Sequence, residues 1–207
     1  MTEKNNIVVF GKGRSGTNAY AETLANGEFS DHFYLREFFD KKWALQEENN
    51  KPIIVRGSLA DDAELDIDCK LNQLHGMDNV IFNITPYAMN DEILNWINNN
   101  AQVFLIKRRD TLATFVSHIL AWSQDTFYKN TVKLSANSIY VSEEWFEQYR
   151  AYHNKYFDIL RKLKPTRLVY YEDMKFNTEE YRSEYNLFDP FDYIENKSDV
   201  KQFIASL

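Results

Sequence analysis

A single cysteine, Cys69, leaves no partner for an internal disulfide. That usage fits a reducing compartment, and a cytoplasmic setting is expected. Flanked by Asp68 and Lys70, Cys69 reads as a bystander and not as a nucleophile. No apolar run approaches the length of a membrane span, and the mean hydropathy is −0.54. The opening MTEKNN is polar and holds no apolar stretch, so no signal peptide is expected. The four histidines, His32, His75, His118 and His153, are scattered without metal-ligand spacing, so no metal site is expected. Repeats and low-complexity tracts are also missing. Basic residues are in deficit, 24 against 31 acidic, for a net charge of −7. A surface of that sign does not attract DNA or RNA, so no nucleic-acid partner is expected. Any anion site must be a local basic recess.

What is present describes a globular chain. Its 207 residues suffice for one domain over 1–207 with a proper core. Hydrophobic residues make up 44% and charged residues 27%, the balance of a packed domain. Aromatics reach 15%, and they fill cores before they do anything else. Nothing in the sequence fixes the oligomeric state.

The chain is organised around residues 7–18, IVVFGKGRSGTN. Ile7, Val8, Val9 and Phe10 form a short buried strand. A loop carrying Gly11, Gly13 and Gly16 follows, and then a helical run begins near Ala19. A strand feeding a glycine-rich turn and a helix N-terminus is an anion cradle, because free N–H groups and the helix dipole face the loop. Arg14 adds a permanently charged fork there. Gly11 and Gly16 keep the spacing of the nucleoside-triphosphate pattern GxxxxGK[ST], but Thr17 stands where the lysine belongs. The plain alternative is a strand–turn–helix whose glycines only make the turn.

Further along, Phe38, Phe39, Trp43 and Leu45 suggest an amphipathic helix from about Glu37. Apolar runs at 53–55, 80–82, 103–106 and 168–171 read as strands. Residues 58–74 read as an acidic loop or short helix, and residues 125–138 as a loop or lid. Helices are expected at 91–96, stopped by Asn98, Asn99 and Asn100, and from Asp110 or Thr111 to about Gln124. A long aromatic helix opens at Ser142 and ends before Pro165. Strands alternating with helices, with no hairpin turns, imply an α/β fold. The expected form is a three-layer, P-loop-like domain with a central, mainly parallel sheet of about five strands. Ligands in such sheets bind at the carboxyl ends of the strands. Arg14, Asn83, Arg108, Arg109, Glu172 and Asp173 all fall at those ends. Arg109 precedes Ser117 by eight residues, with Thr114 and Ala121 on the same helical face. That segment is either a second anion site or an amphipathic helix with a basic start.

Two anion sites without the lysine suit a nucleotide with phosphate at both ends of its ribose. Here the sequence resembles the sulfotransferase family, which uses 3′-phosphoadenosine 5′-phosphosulfate (PAPS). GRSGTN is similar to that family's 5′-phosphosulfate loop, and RRDTLATFVS to its 3′-phosphate element. The resemblance implies that Arg14, Ser15, Gly16, Thr17 and Asn18 hold the 5′ end. It likewise implies that Arg109 and Ser117 hold the 3′-phosphate. Asn18 stands where the family commonly has Ser or Thr. The Arg-Arg-Asp form is closest to the bacterial trehalose-sulfotransferase branch, where a glutamate after the first helix is the base; Glu37 in LREFF matches it. RLVYYEDM resembles the family's YED element, whereas its basic RKG loop has no counterpart. The likeness is specific in two short motifs and covers about four-fifths of the chain in outline.

The implied reaction is sulfuryl transfer to a hydroxyl of a carbohydrate or other small molecule, with adenosine 3′,5′-bisphosphate as product and no metal. Arg14 and Glu37 would be the catalytic pair, with His118 and His32 as other candidate bases. Phe33, Tyr34 and the stretch from Trp122 to Phe127 offer rings for a sugar, or simply pack. Two other readings stay open: a P-loop kinase of nucleotides or small molecules, and a nucleotide-binding module that has lost its chemistry.

Overall fold

The computed structural model describes residues 4–40, 43–48, 51–56, 67–123, 138–174 and 190–207. Strand β1 (Asn6–Gly11) is buried along its whole length. An apolar run buried on both faces belongs in the middle of a parallel sheet, and β1 lies there. With β2 (Phe33–Tyr34), β5 (Val80–Ile84), β6 (Ala101–Lys107) and β7 (Arg167–Tyr170) it forms an all-parallel five-stranded sheet. The spatial order is β2-β5-β1-β6-β7. Successive crossovers therefore run to one side of β1 and then to the other, which opens a crevice at the carboxyl ends of β1 and β6.

Helices cover both faces. On one face Ile7, Val9, Phe104 and Ile106 pack on Ala21 and Leu24 of α1 (Thr17–Ala25). On the other, Val8, Phe10, Phe82, Val103 and Leu105 pack on α2 (Ile67–His75), α3 (Asp91–Asn100) and α5 (Glu143–Lys162). Phe10 stacks on Tyr156 of α5 with ring centres 5.6 Å apart. A separate aromatic cluster joins α4 (Thr111–Ser123), the first half of α5 and α6 (Lys197–Ala205), through Phe115, Phe146, Tyr149 and Phe203. The expected α/β architecture is thus present.

Two expected elements differ. The helix from Glu37 is replaced by a turn and a strand. Arg36 takes φ 54°, Asp40 N donates to Glu37 O at 2.7 Å, and β3 (Trp43–Glu48) pairs antiparallel with β4 (Lys51–Arg56). Phe38 and Phe39, adjacent and both buried, sit edge-to-face at 5.4 Å. Lys70 of α2 locks this turn by donating to the carbonyls of Phe38 and Asp40. The apolar run at 53–55 is therefore a strand outside the main sheet, and the absence of hairpin pairing was not a correct expectation.

The asparagine run does not stop α3 either. Asn100 donates back to Trp96 O at 2.9 Å, and Asn98 caps the end of α5 through Lys162 O at 3.0 Å. The other helices open where their caps stand. Ser142 accepts from Trp145 N at 3.3 Å, and Asp110 accepts from Ala113 N at 2.8 Å. The acidic stretch at 57–66 and the lid expected over most of 125–138 lie outside the described residues. No helix among the described residues is long and apolar enough to cross a membrane.

Candidate anion-binding site

β1 ends at Gly11, opposite Ile106 of β6. A Cβ at Gly11 would lie 2.6 Å from Ser15 Oγ and 3.0 Å from Ile106 O, so the loop closes over this position only because there is no side chain. The turn is held by Ser15 N, which donates to Lys12 O at 3.2 Å, and by the Ser15 hydroxyl, which donates to the same carbonyl. Arg14 and Gly16 take φ 65° and 79°, so the left-handed region is used twice in three residues. Helix α1 starts directly after Gly16, and among the described residues no side chain caps it. Its first-turn N–H groups, which sequence alone assigned to an anion, thus meet no capping side chain.

Arg14 Nε donates to Ser117 Oγ of α4 at 3.3 Å. The two segments singled out in the sequence, 103 positions apart, meet at this bond. Arg109, in contrast, faces β7. Its guanidinium donates to both oxygens of Asp173, at 2.8 and 2.6 Å, and lies 4.2 Å over the Tyr170 ring. Its backbone N–H donates to Glu172 Oε1 at 3.0 Å. Ser117 and Arg109 therefore have different partners: Arg14 for one, the Tyr170–Asp173 segment for the other.

On the opposite flank of the loop, Asn18 Nδ2 donates to Glu37 Oε1 at 3.5 Å. The other end of that amide accepts from Asn83 Nδ2, and Asn83 is fully buried at the end of β5. The Tyr34 hydroxyl reaches Asn83 Oδ1 at 3.1 Å and Asn18 O at 3.3 Å. Asn18 is thus the link that ties Glu37 to the start of α1, and the Tyr34 hydroxyl belongs to the same frame. Ser15 of the loop and Thr17, the first residue of α1, are buried.

His32 cannot serve this mouth. It bonds Asp31 Oδ1 and Asn5 O, both at 2.8 Å, at the amino end of the sheet. His118 does approach the loop, since a Cβ on Gly13 would meet its Cε1 at 3.3 Å. It is fully buried among Tyr87, Trp122, Tyr149 and Tyr152. Burial, reinforced by the charges of Arg14 and Lys12, pushes its pKa down to about 3, which makes it a poor proton acceptor.

Two contributors carried no sequence signal. Tyr152, one ring in the stripe of α5, accepts the Gly13 N–H on its hydroxyl. His153 is bonded by Lys12 Nζ at 3.0 Å. Lys12 is thereby turned away from the loop's open side and lies over the rings of Tyr149, Tyr156 and Phe157 at 5.8, 5.1 and 5.4 Å. Desolvation lowers its pKa to about 8. Among the described residues no group of three or more His, Cys, Asp or Glu is placed to hold a metal ion. No protein-family model and no curated protein sequence matches the chain.

Proposed function

We propose that the chain is a sulfotransferase that moves a sulfuryl group from PAPS to an acceptor hydroxyl, leaving adenosine 3′,5′-bisphosphate. The observation that carries this reading is the Arg14–Ser117 bond, which joins both anion motifs beside the uncapped start of α1. The residues suit such a donor. Arg14, fixed by Ser117, and the first turn of α1 both follow the carboxyl end of β1, and Asn18 of that turn holds Glu37 at 3.5 Å. Bound PAPS supplies a sulfuryl group whose bond to the 5′-phosphate oxygen breaks as the acceptor oxygen bonds to sulfur.

In this reading Glu37 takes the acceptor's proton as general base, oriented by Asn18. Arg14 neutralises charge gathering on the leaving phosphate, together with the N–H groups of Gly16 and Thr17. Ser117 fixes Arg14 and reaches the far phosphate, while Arg109 exchanges Asp173 for that phosphate. The acceptor is a carbohydrate or another small hydroxyl compound. Tyr87, 53% exposed and stacked on Tyr152 at 4.6 Å, offers a ring face to it. The kinase reading has less support, since no lysine follows Gly16.

The test is transfer of labelled sulfuryl from PAPS to a panel of glycans, lipids and small alcohols. Wild type is expected to label at least one acceptor. Glu37→Gln is expected to lose turnover by about a hundredfold or more, in the range general bases contribute, while retaining affinity for adenosine 3′,5′-bisphosphate. Undiminished turnover in Glu37→Gln would remove the base assignment.

A further inference from the structure

The back of the loop holds a recess that the proposed reaction does not use. It is a cavity of about 150 Å³ at the carboxyl end of β6, between the loop, the start of α4 and α5. Its cations are Lys12, Lys107 and Arg108, and among the described residues no carboxylate lines it. Lys107 and Arg108 form no ion pair among the described residues. The guanidinium of Arg108 lies 4.8 Å over the Tyr171 ring. Lys12 Nζ has a histidine nitrogen as its polar partner and aromatic rings around it. Two lining hydroxyls are already spent: Ser15 donates to Lys12 O, and Thr114 donates to Asp110 O at 2.8 Å. Lys12, Lys107, Arg108 and Thr111 line the cavity beside His153.

Three cationic residues lining one recess in a chain of net charge −7 is an arrangement that an anion would complete. The volume lies below the roughly 300–1,000 Å³ of a pocket for a whole small molecule. It suits one anionic group. We infer that this cavity binds a phosphate-sized dianion through Lys12, Lys107, Arg108 and Thr111. The site stands on its own geometry and does not require the sulfuryl-transfer reading. The dianion has two sources: free inorganic phosphate, or a phosphate of a nucleotide that lies across the mouth.

Calorimetric titration of the full chain with inorganic phosphate, at constant ionic strength set by chloride, tests the inference. The comparison protein carries Lys107→Gln with Arg108→Gln, two changes that leave the loop and its packing in place. A second variant, Lys12→Met, probes the loop side. Phosphate is expected to bind wild type and to lose at least tenfold in affinity in the double variant. Adenosine 3′,5′-bisphosphate then separates the sources. If phosphate still binds protein saturated with the bisphosphate, the anion is a free one. If the two compete and both weaken in the double variant, it is the nucleotide's own phosphate. Two results overturn the site: no phosphate binding to wild type, or equal affinity in wild type and both variants. Phosphate binding without bisphosphate binding would remove the proposed function and leave this site standing.

Discussion

Gly11 is the position where the loop has least latitude. A methyl group there would press on Ser15 Oγ and also on Ile106 O, and the second contact is backbone of the neighbouring strand that has no room to give. Gly11→Ala is therefore expected to destabilise the fold by roughly 1–3 kcal/mol, the scale of overpacking. A lower midpoint in urea checks this, and an unchanged midpoint would mean that β1 and β6 separate easily.

The histidines make a second residue-scale expectation. Burial lowers His118 to about 3 and His153 to about 4, the latter helped by the charge of Lys12. The unfolded chain titrates near 6.5, so between that value and the folded ones it binds more protons than the native state. Stability from these residues is complete above about pH 6.5 and is lost as the pH falls toward 4 and then 3. His118→Gln should flatten that loss, measured as the difference in urea midpoint between pH 7 and pH 4.5. An identical difference in both proteins would contradict the burial of a neutral His118. At this scale little was readable beforehand. Glu37, Arg14 and Ser117 were visible only as residue types in short motifs that resemble those of a family. Tyr152 and His153 were not, because their rings fit the helical stripe of α5 whether or not they touch the loop.

Among the elements, those with a local signature were read correctly. β1 is an unbroken apolar run, and α5 carries its Ser142 cap and two acidic first-turn residues. The segment after Glu37 was misread because Phe38 and Phe39 mimic a helical stripe. What decides their conformation is tertiary: Lys70 and Phe82 bind the turn, and β3 finds its partner in β4. Lys70 and Phe82 are distant in sequence, whereas β4 follows β3 directly as a hairpin. The orientation of α4 is similarly non-local. It is set by the aromatic cluster with α5 and α6, where Phe203 lies 4.6 Å from Phe146 and 5.4 Å from Phe115. Phe203→Ala is expected to cost about 3–5 kcal/mol if the cluster does not collapse into the space. Because Ser117 rides on α4, the same change should raise amide exchange over Thr111–Ser123 before it affects β1. Equal exchange in α4 and β1 would show that the cluster is not an independent unit.

At the scale of the whole molecule, the order β2-β5-β1-β6-β7 gathers positive charge from distant parts of the sequence. Strand ends far apart in sequence come to one rim, and a net charge of −7 coexists with Arg14, Lys12, Lys107, Arg108 and Arg109 near the ends of β1 and β6. The parallel sheet was legible from alternation of apolar and amphipathic segments, and the rim followed from it. The pairing of each cation was not legible, because Asp173 and Ser117 compete for arginines by geometry alone.

The central claim is that this rim receives a nucleotide with phosphate at both ends of its ribose, gripped by Arg14. It is tested most directly by calorimetric titration of adenosine 3′,5′-bisphosphate into wild type and Arg14→Ala, with ATP and Mg²⁺ as the comparison ligand. The account predicts selective binding of the bisphosphate by wild type. It also predicts a loss of about tenfold to a hundredfold in Arg14→Ala, the worth of one charge-assisted contact. Equal bisphosphate affinity in the two proteins, or a preference for ATP with Mg²⁺, would contradict it.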